Sequence, residues 1–177
     1  MNILPKKRGK KRPDNQGCNI AICQVLSKNF NVTKNFGWRL VVEIEGSSGF
    51  NDMFTIASVD LTKCQVSIEK NGINEILSCK ELESFVSYEI QRDTGVTGGV
   101  ISIPCNILCN LLKFNLDQQN NNGWGKADAF TIFFNGLPPV VLTEVDLARC
   151  EVTVNEDPIT RSCADIANTW TSFQIHQ

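Results

Sequence analysis

The chain has 177 residues, 42% of them hydrophobic, with 17 basic and 19 acidic side chains. A chain of this length and composition can build one medium domain or two small ones around an apolar core. Its only histidine, His176, is next to the last residue, where it is a poor base for a serine or cysteine nucleophile. The sequence also lacks a glycine-rich phosphate-binding motif, so it predicts a protein that is not an enzyme and needs no cofactor.

The first 17 residues contain six basic side chains close together: Lys6, Lys7, Arg8, Lys10, Lys11 and Arg12. Prolines and glycines accompany them, so residues 1–17 are predicted to form a disordered basic arm on an acidic body. Such an arm can bind a polyanion such as nucleic acid by neutralising phosphates, or dock on the body of a neighbouring copy. No apolar stretch follows the basic residues and no apolar run matches a bilayer, so we predict neither a secretory signal nor a membrane span.

The body of the chain contains a tandem duplication. Residues 59–68 return as residues 145–154, and five of these ten positions are identical. The Gly-Trp pair at residues 37–38 returns at residues 123–124, and each copy contains four of the eight cysteines. The recurrence of all four cysteines indicates that they form a structural framework and are not unrelated thiols.

We place repeat 1 at residues 18–91, a linker rich in Gly and Thr at residues 92–100, and repeat 2 at residues 101–177. Both repeats consist of short runs rich in Val, Ile, Thr and Phe, which Gly, Asn and Pro separate, and this pattern favours β-strands. Residues 78–88 form the only plausible helical stretch. About six short strands in each repeat predict an all-β protein made of two β-sandwich-like repeats.

Two predicted hairpins bring cysteines together. The Asn-Gly pair at residues 71–72 is a strong signal for a two-residue turn, because both residue types tolerate positive φ. Residues 155–158 supply a different, four-residue loop in repeat 2. Counting outward from either loop gives the same arrangement of opposed cysteines: Cys64 opposite Cys79, and Cys150 opposite Cys163.

Three interpretations of these four cysteines are open. Opposed residues at this position of an antiparallel ladder lie about 5.5 Å apart, so a disulfide across the hairpin is one candidate, although a somewhat strained one. The cysteines also share a face with apolar residues, which is typical of buried thiols. The third interpretation is a disulfide from these cysteines to the outer cysteines of the repeats: Cys18, Cys23, Cys105 and Cys109.

The outer cysteines are assigned to strands and are candidates for bonds between subunits. Cys18 lies where the arm meets the body, so we expect it to be the most accessible of them. The spacings of the outer cysteines are C-x4-C in repeat 1 and C-x3-C in repeat 2. Structural zinc sites favour a tight C-x2-C turn, so no metal site is predicted.

Two further pairs of residues recur. Trp38 and Trp124 each follow a turn rich in Asn and Gly, and aromatic rings at the edge of a β-sandwich bind sugars in many carbohydrate-binding modules. The alternative for both tryptophans is a place over the core. For Asp60 and Asp146 we expect each carboxylate to accept hydrogen bonds from its own backbone rather than to bind calcium.

Part of repeat 1 resembles the cysteine-containing structural proteins of bacterial spore outer layers, the crust and the exosporium. The similar segments are an aromatic strand at residues 54–60, a Cys-led strand at residues 64–68, and residues 79–82 followed by Phe85 and Ile90. Serines flank Phe85 where that family has closely spaced cysteines. The resemblance implies self-assembly into disulfide-hardened sheets, with other surface-layer proteins as further partners. It also implies synthesis in a cytosol without a secretory signal, followed by oxidation of the cysteines on a spore or particle surface. If the cysteines instead stay reduced, they would indicate a cytoplasmic protein.

These observations together predict a non-enzymatic structural protein that assembles with itself into a disulfide-stabilised surface layer, shell or filament. Two alternatives come from other parts of the chain. Trp38 and Trp124 suggest a tandem carbohydrate-binding protein, and the basic arm suggests a coat protein that packages nucleic acid.

Overall fold

The computed structural model describes residues 18–45, 51–92, 104–124, 130–134, 137–155 and 160–177. The predicted basic arm lies outside these residues, and so does the predicted linker except for Arg92. In the described part of the chain, both repeats begin with a helix and continue with five strands.

The elements of repeat 1 are α1 (Ala21–Phe36), β1 (Arg39–Glu45), β2 (Asn51–Asp60), β3 (Gln65–Lys70), β4 (Ile73–Ser78), a 3-10 turn (Glu81–Ser84) and β5 (Phe85–Gln91). Those of repeat 2 are α2 (Cys105–Asn122), β6 (Phe130–Phe134), β7 (Leu137–Asp146), β8 (Glu151–Val154), β9 (Thr160–Ser162), α3 (Cys163–Thr169) and β10 (Trp170–His176). None of the described helices is long and apolar enough to cross a membrane.

The ten strands of the described residues form one antiparallel sheet in the order β4-β3-β2-β1-β5-β10-β6-β7-β8-β9. The prediction of a mainly β protein is therefore confirmed, but the two separate sandwiches are not found. Each repeat supplies five strands, and the last strands of the two repeats, β5 and β10, pair at the centre of the sheet. This pairing satisfies two strand edges at once, which separate sandwiches would have to protect individually.

The assignment of the outer cysteines to strands is wrong, because they lie at or near the beginning of helices. Cys23 lies in the first turns of α1, and Cys109 occupies the matching place in α2. The buried side chains of α1 follow helical spacing, but polar Asn29 and Thr33 are among them and break the apolar pattern. The first helix of each repeat ends at a glycine in the left-handed conformation: Gly37 after α1 and its counterpart after α2.

The two repeats are related by an approximate twofold axis through the centre of the sheet. Glu89 of β5 lies opposite Gln174 of β10, with matching apolar pairs on both sides of this point. On one side Phe173 lies opposite Ile90, and on the other Ile175 lies opposite Tyr88. These four side chains are buried in one continuous core that both repeats share.

Candidate functional site

The open ends of the two β-hairpins have the same backbone structure in both repeats. The register of β3 and β4 runs from Lys70↔Ile73 to Gln65↔Ser78, as counted from the Asn-Gly turn. One step further out, the N–H of Cys79 donates to the carbonyl oxygen of Cys64 at 2.9 Å. The equivalent bond in repeat 2, from Cys163 to Cys150, is 2.8 Å long. The cysteine backbones therefore face each other in both hairpins.

A carboxylate organises the turn that leads into each of these hairpins. In repeat 1, Asp60 Oδ1 accepts hydrogen bonds from the Thr62 hydroxyl at 2.6 Å and from the backbone N–H groups of Thr62 and Lys63 at 2.9 and 3.2 Å. The bond from the Thr62 hydroxyl contributes most to a pKa of Asp60 below its usual value. Asp146 accepts the same two backbone bonds in repeat 2. Both carboxylates thus bind their own backbone, as expected from the sequence.

Three of the four hairpin cysteines, Cys64, Cys79 and Cys163, are bonded to residues in or just before a helix rather than across the hairpins. Cys64 and Cys150, which end these turns, have a positive φ of 53°. Their side chains therefore do not point in the direction that the regular alternation of a β-strand would give them. The disulfides connect each hairpin end to the start of the helix of the same repeat: Cys18–Cys64, Cys23–Cys79 and Cys109–Cys163. Their Cα–Cα distances of 5.0, 5.7 and 5.8 Å lie within the usual range for disulfides.

These bonds correspond to the third of the interpretations that the sequence left open. In place of bridges across the hairpins, Cys79 and Cys163 are tied to helix residues, and both are fully buried. Three of the four cysteines suggested for bonds between subunits are instead bonded within the chain: Cys18, Cys23 and Cys109. The bridges therefore hold helices on the sheet within one copy.

We expect a fourth disulfide between Cys150 and Cys105. Cys150 is half-buried and has no disulfide partner among the described side chains, yet its turn and backbone match those of Cys64. The partner of Cys64 is Cys18, whose counterpart in repeat 2 is Cys105. Iodoacetamide should therefore label no cysteine of the oxidised, denatured protein, and a non-reducing digest should join these two residues. Labelled Cys150, or a peptide joining Cys150 of two copies, would contradict this expectation.

A buried amide pair connects the two helices at the approximate twofold axis. The side-chain amides of Asn29 in α1 and Asn115 in α2 bond reciprocally, with N···O distances of 2.7 and 3.0 Å. The two residues are 86 positions apart, as are the glycines that end their helices, so they are equivalent in the repeats. Asn115 Oδ1 also accepts from the hydroxyl of Tyr88 at 2.8 Å, and burial raises the pKa of this tyrosine.

The two recurring tryptophans pack across the boundary between the repeats. Trp38 follows α1 and is buried, with its ring edge-on to Trp170 of repeat 2 at a centroid distance of 4.9 Å. Trp124 follows α2 and is half-buried, with its ring edge-on to Phe85 of repeat 1 at 5.1 Å. This exchange of aromatic contacts makes the tryptophans part of the interface between the repeats.

The opposite face of the central strands carries a polar cluster that the sequence analysis did not identify. The hydroxyl of Ser87 donates to Glu43 Oε2 at 2.6 Å and accepts from Gln174 Nε2 at 3.0 Å. His176 lies opposite Ser87 in the strand register, but the hydroxyl of Ser87 is directed to Glu43 instead. The alternation of Ser87 and Glu89 with buried Tyr88 and Ile90 is the only sequence signal for this cluster.

The outer strands of the described sheet are β4 and β9. Just after β4, the backbone N–H of Cys79 donates to Cys64, and hydrogen-bonded pairs alternate along an antiparallel ladder. The backbone N–H and C=O groups of the odd-numbered residues of β4 therefore bond to β3, and those of the even-numbered residues point away from β3. In agreement, the outward N–H of Ser78 donates to Glu81 Oε2 rather than to β3. The backbone N–H and C=O of Ile76 thus point away from β3, and the side chain of Ile76 is 66% exposed. Ile73 at the start of the same strand is 63% exposed.

No protein-family model, curated protein or solved structure matches this chain. The described groups support two kinds of chemistry. The disulfides tie helices to hairpins, and the outward backbone groups of β4 can bond to a further strand. Both are means of building and holding a structure.

Proposed function

We propose that this protein is a non-enzymatic structural protein that assembles with copies of itself into a disulfide-stabilised layer, shell or filament. The observation that supports this most directly is the edge strand β4. It has six residues with two exposed isoleucines, Ile73 and Ile76. Exposed apolar edge strands are templates for pairing with another chain, and proteins that stay monomeric usually protect such edges with charges, proline or bulges.

The shape of the sheet favours repeated addition. Its two outer strands, β4 and β9, belong to different repeats and lie at opposite ends of the strand order. If β4 of one copy pairs with β9 of the next, the contact is head to tail, and such contacts extend into rings or filaments. If β4 pairs with β4, the contact closes into a dimer, which needs a second surface to build a larger assembly.

The disulfides suit a component that has to keep its shape in a large assembly. The described ones lie within one copy, where they attach α1 and α2 to the hairpins that end at the sheet edges. The copies would therefore present rigid edges to each other. The resemblance of residues 54–60 and 64–68 to spore outer-layer proteins agrees with this role. We extend the proposal to a final place on a spore or particle surface and to contact with other surface-layer proteins.

The assembly can be tested with substitutions that change only the outward side of β4. Ile76→Pro removes an N–H that does not bond to β3, so the sheet within the copy should remain while pairing with a second copy is blocked. We expect oxidised wild-type protein to form multimers in light scattering coupled to size exclusion and particles in electron microscopy. Ile76→Pro should shift the protein to monomers.

A matched pair of lysine substitutions controls for surface charge. Ile76→Lys places a charge on the edge strand, whereas Met53→Lys places the same charge at a 52% exposed site on the interior strand β2, where Met53 pairs with Glu43 of β1. Only the edge substitution should prevent assembly. Thr160→Pro on β9 separates the two geometries, because it blocks a head-to-tail contact and leaves a β4–β4 contact intact. A wild-type protein that is monomeric at all concentrations, with and without reductant, would refute the proposal.

A further inference from the structure

The two disulfides of repeat 1 lie side by side. The sulfur atoms of Cys18, Cys23 and Cys79 are all within 4.8 Å of one another, although Cys18 belongs to one disulfide and the other two form the second. The fourth sulfur, from Cys64, is bonded to that of Cys18. Cys18, Cys23 and Cys79 are buried, whereas Cys64 is half-buried and gives the cluster access to solvent. Among the described residues, this is where the chain gathers metal-ligating side chains.

We propose that the reduced protein binds a zinc ion at this cluster through the thiolates of Cys18, Cys23, Cys64 and Cys79. Structural zinc is tetrahedral with Zn–S bonds of about 2.3 Å, which places its sulfur ligands about 3.8 Å apart. In the oxidised protein three of the sulfurs already lie within 4.8 Å of one another, and the fourth, from Cys64, is bonded to that of Cys18. Reduction frees the two bonded pairs to move apart to the zinc-ligand separation, which needs rotation of cysteine side chains rather than a new backbone fold. Thiolates are soft ligands, and four of them favour zinc over hard ions such as magnesium or calcium.

The charges next to the ligands fit this assignment. A zinc ion with four thiolates carries two net negative charges. Lys63 precedes Cys64 and Lys80 follows Cys79, so two basic residues flank the hairpin ligands. In repeat 2, Arg149 occupies the first of these positions, but an alanine follows Cys163. Repeat 1 is therefore the better place for an anionic metal centre.

The conversion of the oxidised protein into the reduced, zinc-binding protein is balanced in electrons and protons when a thiol is the reductant. Two electrons reduce each of the two disulfides, and the thiol reductant is oxidised to its own disulfide. The four protein thiols release four protons when they bind Zn²⁺. Oxidation reverses the sequence: the two disulfides form again, the oxidant takes up four electrons, and the zinc ion leaves.

This site would attach the start of α1 to the hairpin of β3 and β4 before oxidation takes place. Reduced cysteines in a cytosol are either free thiols or metal ligands. Zinc binding adds directly to folding free energy when its ligands come together only in the folded chain. The inference does not depend on self-assembly, since it concerns groups within one copy.

Cobalt(II) is a spectroscopic probe for this site. The full chain, reduced with a phosphine under anaerobic conditions, should bind Co²⁺ with the thiolate charge-transfer and visible bands of a tetrahedral thiolate complex, and Zn²⁺ should displace it. The oxidised wild-type protein should show neither band. This comparison uses one sequence in two redox states, so it does not depend on the folding of a variant. Reduced protein without these bands would refute the site.

Two matched double variants locate the metal. Cys23→Ser with Cys79→Ser removes two proposed ligands, and Cys109→Ser with Cys163→Ser removes the equivalent disulfide of repeat 2. Circular dichroism of the oxidised variants checks their folding. In the reduced wild type and the repeat 2 variant, zinc should slow alkylation of the repeat 1 cysteines, and a chelator should restore it. If zinc slows alkylation of Cys18 and Cys64 equally in the repeat 1 variant, or of no repeat 1 cysteine in the wild type, the assignment is wrong.

Discussion

Removal of both disulfides of repeat 1 is expected to lower the free energy of unfolding by about 7 kcal/mol. The variant replaces four residues with alanine: Cys18, Cys23, Cys64 and Cys79. The two bridges span sequence separations of 46 and 56 residues, and they interleave along the chain. A loss of this size approaches the whole stability of a typical domain, which is about 5–15 kcal/mol. We therefore expect a largely unfolded repeat 1 at moderate denaturant concentrations where the oxidised wild type is still folded.

The interleaving of the two bridges makes their effects non-additive. While the Cys18–Cys64 bridge is present, the Cys23–Cys79 bridge closes a loop of only about 20 residues, so its removal alone should cost about 3 kcal/mol. Removal of the second bridge then frees a loop of about 50 residues and should cost about 4 kcal/mol. Guanidinium unfolding of the single-bridge and double-bridge alanine variants, oxidised and in chelator, measures both steps. Equal costs for each step would mean that chain entropy is not the main source of the stabilisation.

Asn115→Ala is expected to lower the free energy of unfolding by about 3–4 kcal/mol. Asn115 Oδ1 accepts from both Asn29 and Tyr88, and all three side chains are buried. The substitution leaves two buried donors without this acceptor, and each unsatisfied buried group costs about 1–3 kcal/mol. Urea unfolding followed by far-ultraviolet circular dichroism gives the difference from the wild type.

The two partners of Asn115 supply graded controls. Tyr88→Phe leaves no donor unsatisfied and should cost about 1 kcal/mol, the value of one net hydrogen bond. Asn29→Ala should fall between the two, because Asn115 keeps its bonds to Tyr88 and to the Leu111 carbonyl. The expected order of destabilisation is therefore Asn115, then Asn29, then Tyr88. If all three substitutions have the same small effect, solvent reaches the network and it does not set the packing of α1 on α2.

Local features of the chain could be predicted because their causes lie within a few residues. The Asn-Gly pair at residues 71–72 determines the turn of the first hairpin, and the register followed from counting along both strands. The hydrogen bonds of Asp60 and Asp146 also connect residues two or three positions apart. The mainly β content came from the same kind of local pattern, namely short runs rich in branched residues between turn signals.

The helices were missed because their buried faces include polar residues. Asn29, Thr33 and Asn115 point into the core, where a periodicity search expects apolar side chains. Asn29 and Asn115 can be buried because their side-chain amides bond to each other across the boundary between the repeats. A residue whose partner is 86 positions away gives no signal in a local window.

The sequence by itself determined the duplication, the two hairpins and the opposition of Cys64 to Cys79 and of Cys150 to Cys163, because turn chemistry and strand alternation act over short distances. Only the tertiary structure decided the cysteine partners and the joining of the repeats into one sheet. The hairpin count places backbones correctly, but the positive φ at Cys64 turns its side chain toward a cysteine 46 residues earlier. Likewise, β5 and β10 pair because each would otherwise be the open edge of its own repeat, and because their buried side chains complete one shared core. The residues of either strand alone do not reveal this pairing.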